Sequence, residues 1–261
     1  MNLFKDAAQY YKYRPVYSVE LIKLIVSKVK ANKEANLLDI GCGTGSLCLP
    51  LSKYFKNVFA VDVDEKMIEE GKRLAVLRGV SNISWQNKDG NSLENDFENI
   101  QMVTCGCSLH WFNSLKMLEF VHKLLSDNGA VAIVGIWTIW IYAPALWQQK
   151  VLEVIKKYLG PKRLTLNGVR KQSGTKNDFV DFLEETGFKG IEKIEFDLPE
   201  RILSVDEIIG QQYSMSYAAP ELFKDKLADF EKELRTELLK IHPNNKFVEE
   251  SSGYLTIGYK N

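Results

Sequence analysis

The chemistry in this 261-residue chain is most legible where an acid is followed by alternate glycines, in Leu37-Leu38-Asp39-Ile40-Gly41-Cys42-Gly43-Thr44-Gly45-Ser46-Leu47. Gly41, Gly43 and Gly45 have no side chains and tolerate positive φ, so such a loop turns sharply and sets bare backbone against a ligand. A helix beginning just beyond it would point unpaired N–H groups at the same place. Asp62, at the end of the next apolar run, is placed to accept both hydroxyls of a ribose. Asp89-Gly90-Asn91 adds a second acidic turn, and His110 falls just past the fourth apolar run. Together these describe a nucleotide-type cofactor site at the carboxyl edge of a parallel sheet.

The glycine spacing narrows the choice of cofactor. A dinucleotide fingerprint needs G-x-G-x-x-G, and here the third glycine comes one place early, at Gly45, with Ser46 in the expected position. Joined to Asp62 and Asp89, the D-x-G-x-G-x-G pattern resembles the class I S-adenosylmethionine-dependent methyltransferases. Ala8-Gln9-Tyr10-Tyr11-Lys12-Tyr13-Arg14-Pro15 and Leu109-His110-Trp111-Phe112 are similar to the small-molecule branch typified by trans-aconitate methyltransferases. The resemblance implies S-adenosylmethionine as cofactor and a small-molecule acceptor, methylated at a carboxylate or hydroxyl oxygen. Residue chemistry agrees: that cofactor carries an ammonium and a sulfonium, which Asp39 would attract, directly or through water. Asp62 would hold the ribose diol, and Asp89 with the Gly90 and Asn91 backbone would meet the adenine edge. By likeness to the family, Arg14 would pair with the cofactor carboxylate with Tyr13 close by, while Cys42, Val63 and Cys105 complete the cofactor set.

Methyl transfer from a sulfonium is an in-line displacement, so alignment and exclusion of water matter most. A carboxylate acceptor needs no base, whereas a phenol or alcohol benefits from one. Of the three histidines, His110 is the candidate for a base or substrate-orienting group; a packed histidine supporting the loop is the other reading, and His122 and His242 are read as incidental. Trp111, Trp137, Trp140, Tyr142 and Trp147 follow the fourth and fifth apolar runs, and Tyr213 lies in Gln211-Gln212-Tyr213-Ser214-Met215-Ser216-Tyr217. At a carboxyl edge they suggest an apolar or planar acceptor pocket, although each alone reads as core. Lys162, Arg163, Arg170 and Lys171 form a basic loop, read as solvated surface.

Strands are expected over 36–40, 57–61, 83–86, 101–105 and 130–136, with two more at 191–198 and 253–259. Helices are expected over 19–29, 47–54, 65–79, 114–125, 144–159, 177–186, 204–213 and 220–241. In 65–79 the inner positions are Met67, Ile68, Leu74 and Leu77, and Asp127-Asn128-Gly129 is a turn signal. Alternating strands and helices imply an α/β, Rossmann-like, doubly wound sheet, and the family resemblance makes it seven-stranded and mostly parallel. The chain reads as one domain, 1–261, with a cofactor-binding core at about 30–136. Segments at about 1–20, 137–176 and 199–250 exceed what the bare fold requires and are expected to form a helical cap.

Composition limits the partners. Apolar residues make up 45% and charged residues 26%, and 34 basic residues balance 34 acidic ones. That balance argues against a basic face for nucleic acid or anionic lipid, and no Asn/Asp-Pro-Pro-Tyr motif follows the fourth strand. Cys42, Cys48, Cys105 and Cys107 form no C-x-x-C pair, so they read as free thiols in a reducing compartment rather than as metal ligands. The apolar run 130–147 contains Pro144 and closely spaced tryptophans, and reads as a buried strand and an aromatic lid segment rather than a membrane span. The start of the chain lacks the apolar run of a signal peptide, and a cytoplasmic protein is expected. An RNA or protein methyltransferase, or a silent cofactor-binding module, remains the alternative.

Overall fold

Every residue from Asn36 to Ile40 is buried, as a strand covered by helices on both faces must be. The computed structural model describes residues 7–94, 96–137, 139, 142–143, 145–161, 163–165, 168–170 and 179–261. In chain order the strands are β1 (Asn36–Ile40), β2 (Asn57–Asp62), β3 (Ile83–Asn87), β4 (Ile100–Gly106), β5 (Leu125–Ile136), β6 (Arg163–Thr165), β7 (Gly168–Arg170), β8 (Lys189–Asp197), β9 (Arg201–Leu203), β10 (Phe247–Glu249) and β11 (Ser252–Tyr259). The helices are α1 (Val19–Lys28), α2 (Cys48–Leu51), α3 (Glu65–Leu77), α4 (Ser114–Leu124), α5 (Leu146–Leu159), α6 (Val180–Glu185), α7 (Val205–Tyr213), α8 (Pro220–Phe223) and α9 (Leu227–Ile241).

Seven strands form one sheet in the order β3-β2-β1-β4-β5-β11-β8. β1 to β5 run parallel, and β11 is antiparallel to both its neighbours. The expected α/β, doubly wound, mostly parallel sheet is therefore the fold. The order reverses at β1, which pairs with β2 on one side and β4 on the other. At such a switch point the loops leaving neighbouring strands part, and a crevice opens at their carboxyl ends. Around the sheet, Leu21, Ile22 and Ile25 of α1 pack with Leu37, Val58, Met102, Ala132 and Leu255 in a single apolar cluster. Ser18 caps α1 by accepting from Leu21 N–H, and Asp64 caps α3 by accepting from Met67 N–H.

The chain divides into two compact units. One comprises Val16–Ile136, Asn177–Leu198 and Ser252–Asn261 and holds the sheet; the other comprises Met1–Pro15, Trp137–Lys176 and Pro199–Ser251. The second unit has its own core, in which Trp147, Val151 and Ile155 of α5 pack with Ile208, Phe230, Leu234, Leu238 and Phe247. β9 and β10 pair antiparallel within it.

Several local expectations are corrected. The helix expected over 47–54 is the single turn α2 followed by a 3-10 turn, Ser52–Tyr54. The helix expected over 220–241 breaks at Lys224, where φ is +53°, into α8 and α9. That break stacks Phe223 on Phe230 with ring centroids 4.1 Å apart; seven residues of continuous helix would separate them by about 10 Å. Leu77, expected inside α3, is 69% exposed because the helix is ending there, and Ala75 takes the inner position. β5 begins at Leu125, so Asp127-Asn128-Gly129 falls within it rather than before it. Pro144, and Lys162 and Lys171 of the basic loop, lie outside the described residues; the paired strands β6 and β7 occupy part of that loop.

Candidate active site

The glycine loop leaves β1 at the switch point and is tied at once to β2: Gly41 and Cys42 N–H both donate to Val61 O, at 2.8 and 3.0 Å. φ is +68° at Gly41, +54° at Gly43 and +91° at Gly45, so all three glycines adopt the left-handed backbone that the loop requires. A Cβ on Gly41 would stand 2.5 Å from Ser108 Cβ, and one on Gly45 would stand 2.7 Å from Trp85. Ser108 Oγ donates to Ile40 O at 2.6 Å and clamps the exit of β4 onto the exit of β1. Because α2 is only one turn long, the loop's own N–H groups and the neighbouring carboxylates carry the site, with little from a helix dipole.

Asp39 lies across from Thr104 in the sheet, and Thr104 Oγ1 donates to its Oδ1 at 2.7 Å. The residue is 1% exposed, and its Oδ2 has no hydrogen-bond partner among the described residues. Burial pushes the Asp39 carboxyl up to about 6, while the Thr104 hydroxyl and the nearby Cys48 thiol and N–H pull it partly back. The Cys48 groups polarise the carboxylate without reaching hydrogen-bond geometry. A buried acid with one oxygen unsatisfied is costly unless a donor or cation completes it. That orphaned oxygen would accept a cationic group such as an ammonium.

Asp62, at the end of β2, uses both oxygens on backbone: Oδ2 accepts from Gly43 N–H at 2.8 Å and Oδ1 from Asp64 N–H at 2.9 Å. Burial raises its pKa, and these two N–H groups oppose the rise. Each oxygen keeps a second lone-pair direction with which to accept a hydroxyl. Asp89 caps a short turn by accepting from Asn91 N–H and Nδ2, at 2.9 and 3.0 Å, and is exposed. Gly90 is buried, and a Cβ there would stand 2.6 Å from the Phe112 ring. Val63 is 68% exposed. Cys42 and Cys105 are buried thiols; burial pushes Cys105 up to about 12 and raises Cys42 strongly, so both stay protonated.

After β4 the chain turns through Leu109–Trp111, with Cys107 held at φ +52°. His110 and Trp111 are half-buried, with ring centroids 5.1 Å apart. The sequence reading missed Ser108 and Phe112. Phe112 reaches both Gly41 and Gly90, and so spans the glycine loop and the Asp89 turn. Its only signal in the sequence was its place in Leu109-His110-Trp111-Phe112.

Not every expected residue falls in this unit. Asp39, Gly41, Cys42, Gly43, Asp62, Val63, Asp89, Gly90, Cys105, His110 and Trp111 do. Tyr13, Arg14, Trp137, Tyr142 and Tyr213 belong to the second unit, and Trp140 lies outside the described residues. Tyr142 is exposed and Trp137 half-buried. Tyr213 is a core residue: it is 4% exposed, its ring meets Tyr10 edge-on at 5.4 Å, and its hydroxyl donates to Glu231 at 2.7 Å. Trp147 is core as well, donating from Nε1 to Val248 O. Arg14 donates from Nε to Ser214 Oγ at 3.1 Å and from Nη2 to Ser214 O, with its guanidinium over the Tyr11 ring.

Residues 37–129 match the family model of a methyltransferase domain. A protein of Dictyostelium discoideum named as a methyltransferase is 25% identical over 239 residues, which cover 89% of this chain and 83% of that one. The uncharacterized methyltransferase YcgJ of Bacillus subtilis is 27% identical over 133 residues, and the match spans about half of each chain, 50% and 53%. Its crystal structure superposes with a TM-score of 0.57 at 18% identity, covering 94% of this chain and 99% of that one. The phospholethanolamine N-methyltransferase 2 of Haemonchus contortus, solved with phosphomonomethylethanolamine and S-adenosylhomocysteine, superposes with a TM-score of 0.57 at 13% identity, over 97% of this chain and 56% of that one. The two superpositions establish the shared fold. No helix among the described residues is long and apolar enough to cross a membrane.

Proposed function

We propose that the chain, an S-adenosylmethionine-dependent methyltransferase of the class I fold, methylates a small molecule at a carboxylate or hydroxyl oxygen, as the trans-aconitate branch it resembles implies. The observation that carries this reading is the turn after β4. There His110 and Trp111 stand side by side at the carboxyl edge, and the next residue, Phe112, reaches the glycine loop. An imidazole beside an indole suits a small planar acid or phenol. The even balance of 34 basic and 34 acidic residues supports the same class over a phosphate-rich polymer.

The cofactor, when bound, supplies an electrophilic methyl group on a sulfonium. Asp39 would hold its ammonium, Asp62 its ribose diol, and Asp89 with Gly90 its adenine edge, while Gly41, Cys42 and Gly43 would offer backbone and Val63 and Cys105 would complete the set. By the family resemblance, Arg14, with Tyr13 beside it, would pair with the carboxylate of the methionine end. His110 takes the proton from a hydroxyl acceptor, or donates a hydrogen bond that orients a carboxylate. Trp111, Trp137, Trp140 and Tyr142 would supply apolar contact to the acceptor, whereas Tyr213, expected among them, is packed in the core of its own unit.

The test is a methyl-transfer screen over small carboxylic acids, phenols, amines, total RNA and protein, read by the appearance of S-adenosylhomocysteine. Turnover with acids or phenols is expected. Transfer to RNA or protein alone overturns the acceptor class, and cofactor binding with no transfer to any of them marks a silent module.

A further inference from the structure

Arg201 and Glu249 form an ion pair in the second unit that neither the sequence pattern nor the methyl-transfer chemistry calls for. Arg201 Nε donates to Glu249 Oε2 at 2.9 Å, and Nη2 donates to the same oxygen. The Glu249 side chain is only 5% exposed, and its other oxygen accepts from Gln211 Nε2 at 2.7 Å. The remaining arm of Arg201 crosses to the start of the chain, where Nη1 donates to Tyr13 O and Arg14 O, both at 3.1 Å. Those carbonyls end the 3-10 helix Ala7–Tyr13, and Pro15 forbids its continuation, so they have no helical partner of their own.

The same two residues are seated from the side by α7. A Cβ on Gly210 would stand 2.3 Å from the Tyr13 ring, so glycine inside this helix makes room for that ring. One turn on, Ser214 receives the Arg14 guanidinium. Two stretches of chain, around 201–214 and 249, therefore converge to fix two consecutive residues. A buried ion pair is a poor device for stability alone, since apolar packing of the same volume does as well. Its distinctive product here is direction.

We propose that the Arg201–Glu249 pair is a positioning device that sets the backbone of Tyr13 and Arg14, and through it the affinity for the methionine end of the cofactor. The inference rests on the role proposed above for Arg14. Neither Arg201 nor Glu249 touches the cofactor; both act through the Arg14 segment.

The test is calorimetry of the full chain with S-adenosylhomocysteine, alongside thermal unfolding. Arg201→Lys keeps the charge but loses the rigid fork that serves a carboxylate and two carbonyls together. It is expected to raise Kd about tenfold. Placed on Arg14→Ala, it is expected to add nothing, because the group it positions is already gone. Glu249→Gln, which keeps the shape, is expected to raise Kd about threefold and serves if Arg201→Lys does not fold. Unchanged affinity in the folded Arg201 or Glu249 variant, or a loss that adds fully to that of Arg14→Ala, overturns the proposal while leaving the Arg14 role standing. Unchanged affinity in Arg14→Ala alone removes Arg14 from the cofactor site and overturns the positioning device with it.

Discussion

Replacing Asp39 by asparagine is expected to stabilise the protein without ligand while weakening its hold on the cofactor. The carboxyl is buried, with one oxygen bonded to Thr104 and the other unsatisfied. Burial pushes it up to about 6 from an ordinary 3.8. Below pH 3.8 it is protonated in the folded and unfolded states alike, and no penalty arises. Between 3.8 and 6 the unfolded carboxyl ionises while the folded one resists, so stability falls as pH rises. Above 6 both are ionised and the folded state carries the whole cost, about 3 kcal/mol at about 1.4 kcal/mol per pH unit. An amide in place of the carboxyl would keep an oxygen for the Thr104 hydroxyl and carry no charge. The assay is urea unfolding of the parent and Asp39→Asn at intervals from pH 4 to pH 8. The variant's stability relative to the parent should climb by about 3 kcal/mol up to pH 6 and then level off. Taking the difference between the two proteins cancels the titrating groups that do not interact with Asp39. A flat or falling difference would refute the reasoning, because it would mean that the folded carboxyl ionises without cost. In the same variant S-adenosylmethionine affinity should fall, so that binding and stability move in opposite directions, as expected where a strained group is retained for function.

Three further outcomes are expected. Asp62→Ala should weaken S-adenosylhomocysteine binding by about 1–3 kcal/mol through lost charge-assisted bonds; unchanged affinity by calorimetry would remove Asp62 from the site. Gly41→Ala combines a left-handed backbone with a Cβ 2.5 Å from Ser108, so it should destabilise the fold by about 2–4 kcal/mol and abolish cofactor binding; a thermal midpoint equal to that of the parent would contradict this. His110→Ala should lower turnover by about a hundredfold with little change in cofactor affinity; equal losses in both would make His110 a support for the loop.

The sheet was legible because its evidence is local. Apolar runs of strand length mark β1, β2 and β4 wherever they pack, with glycines and an acid at the end of β1, an acid at the end of β2 and Gly106 at the end of β4, and parallel connection then sends their loops to one edge. Elements whose form depends on a distant partner were not legible in the same way. Between Pro220 and Ile241 only Lys224 takes a positive φ, and what the break there achieves is the stacking of Phe223 on Phe230. The basic stretch read as loop includes the paired strands β6 and β7, because three-residue strands leave no periodicity to read.

The sequence by itself determined the local form of the candidate cofactor site: three glycines at a spacing suited to a positive-φ turn, and two acids whose places along the chain set their places at the sheet edge. Tertiary structure decided what those groups experience. Asp39 becomes a buried acid with one oxygen held by Thr104 across the sheet and the other orphaned among the described residues. Phe112 reaches two glycine turns only because β1 and β4 are neighbours. Arg201 meets the carbonyls of Tyr13 and Arg14 across more than 180 residues of chain. Periodicity and spacing record what a residue does to its own backbone, whereas burial, pairing and charge compensation arise only when separate segments meet.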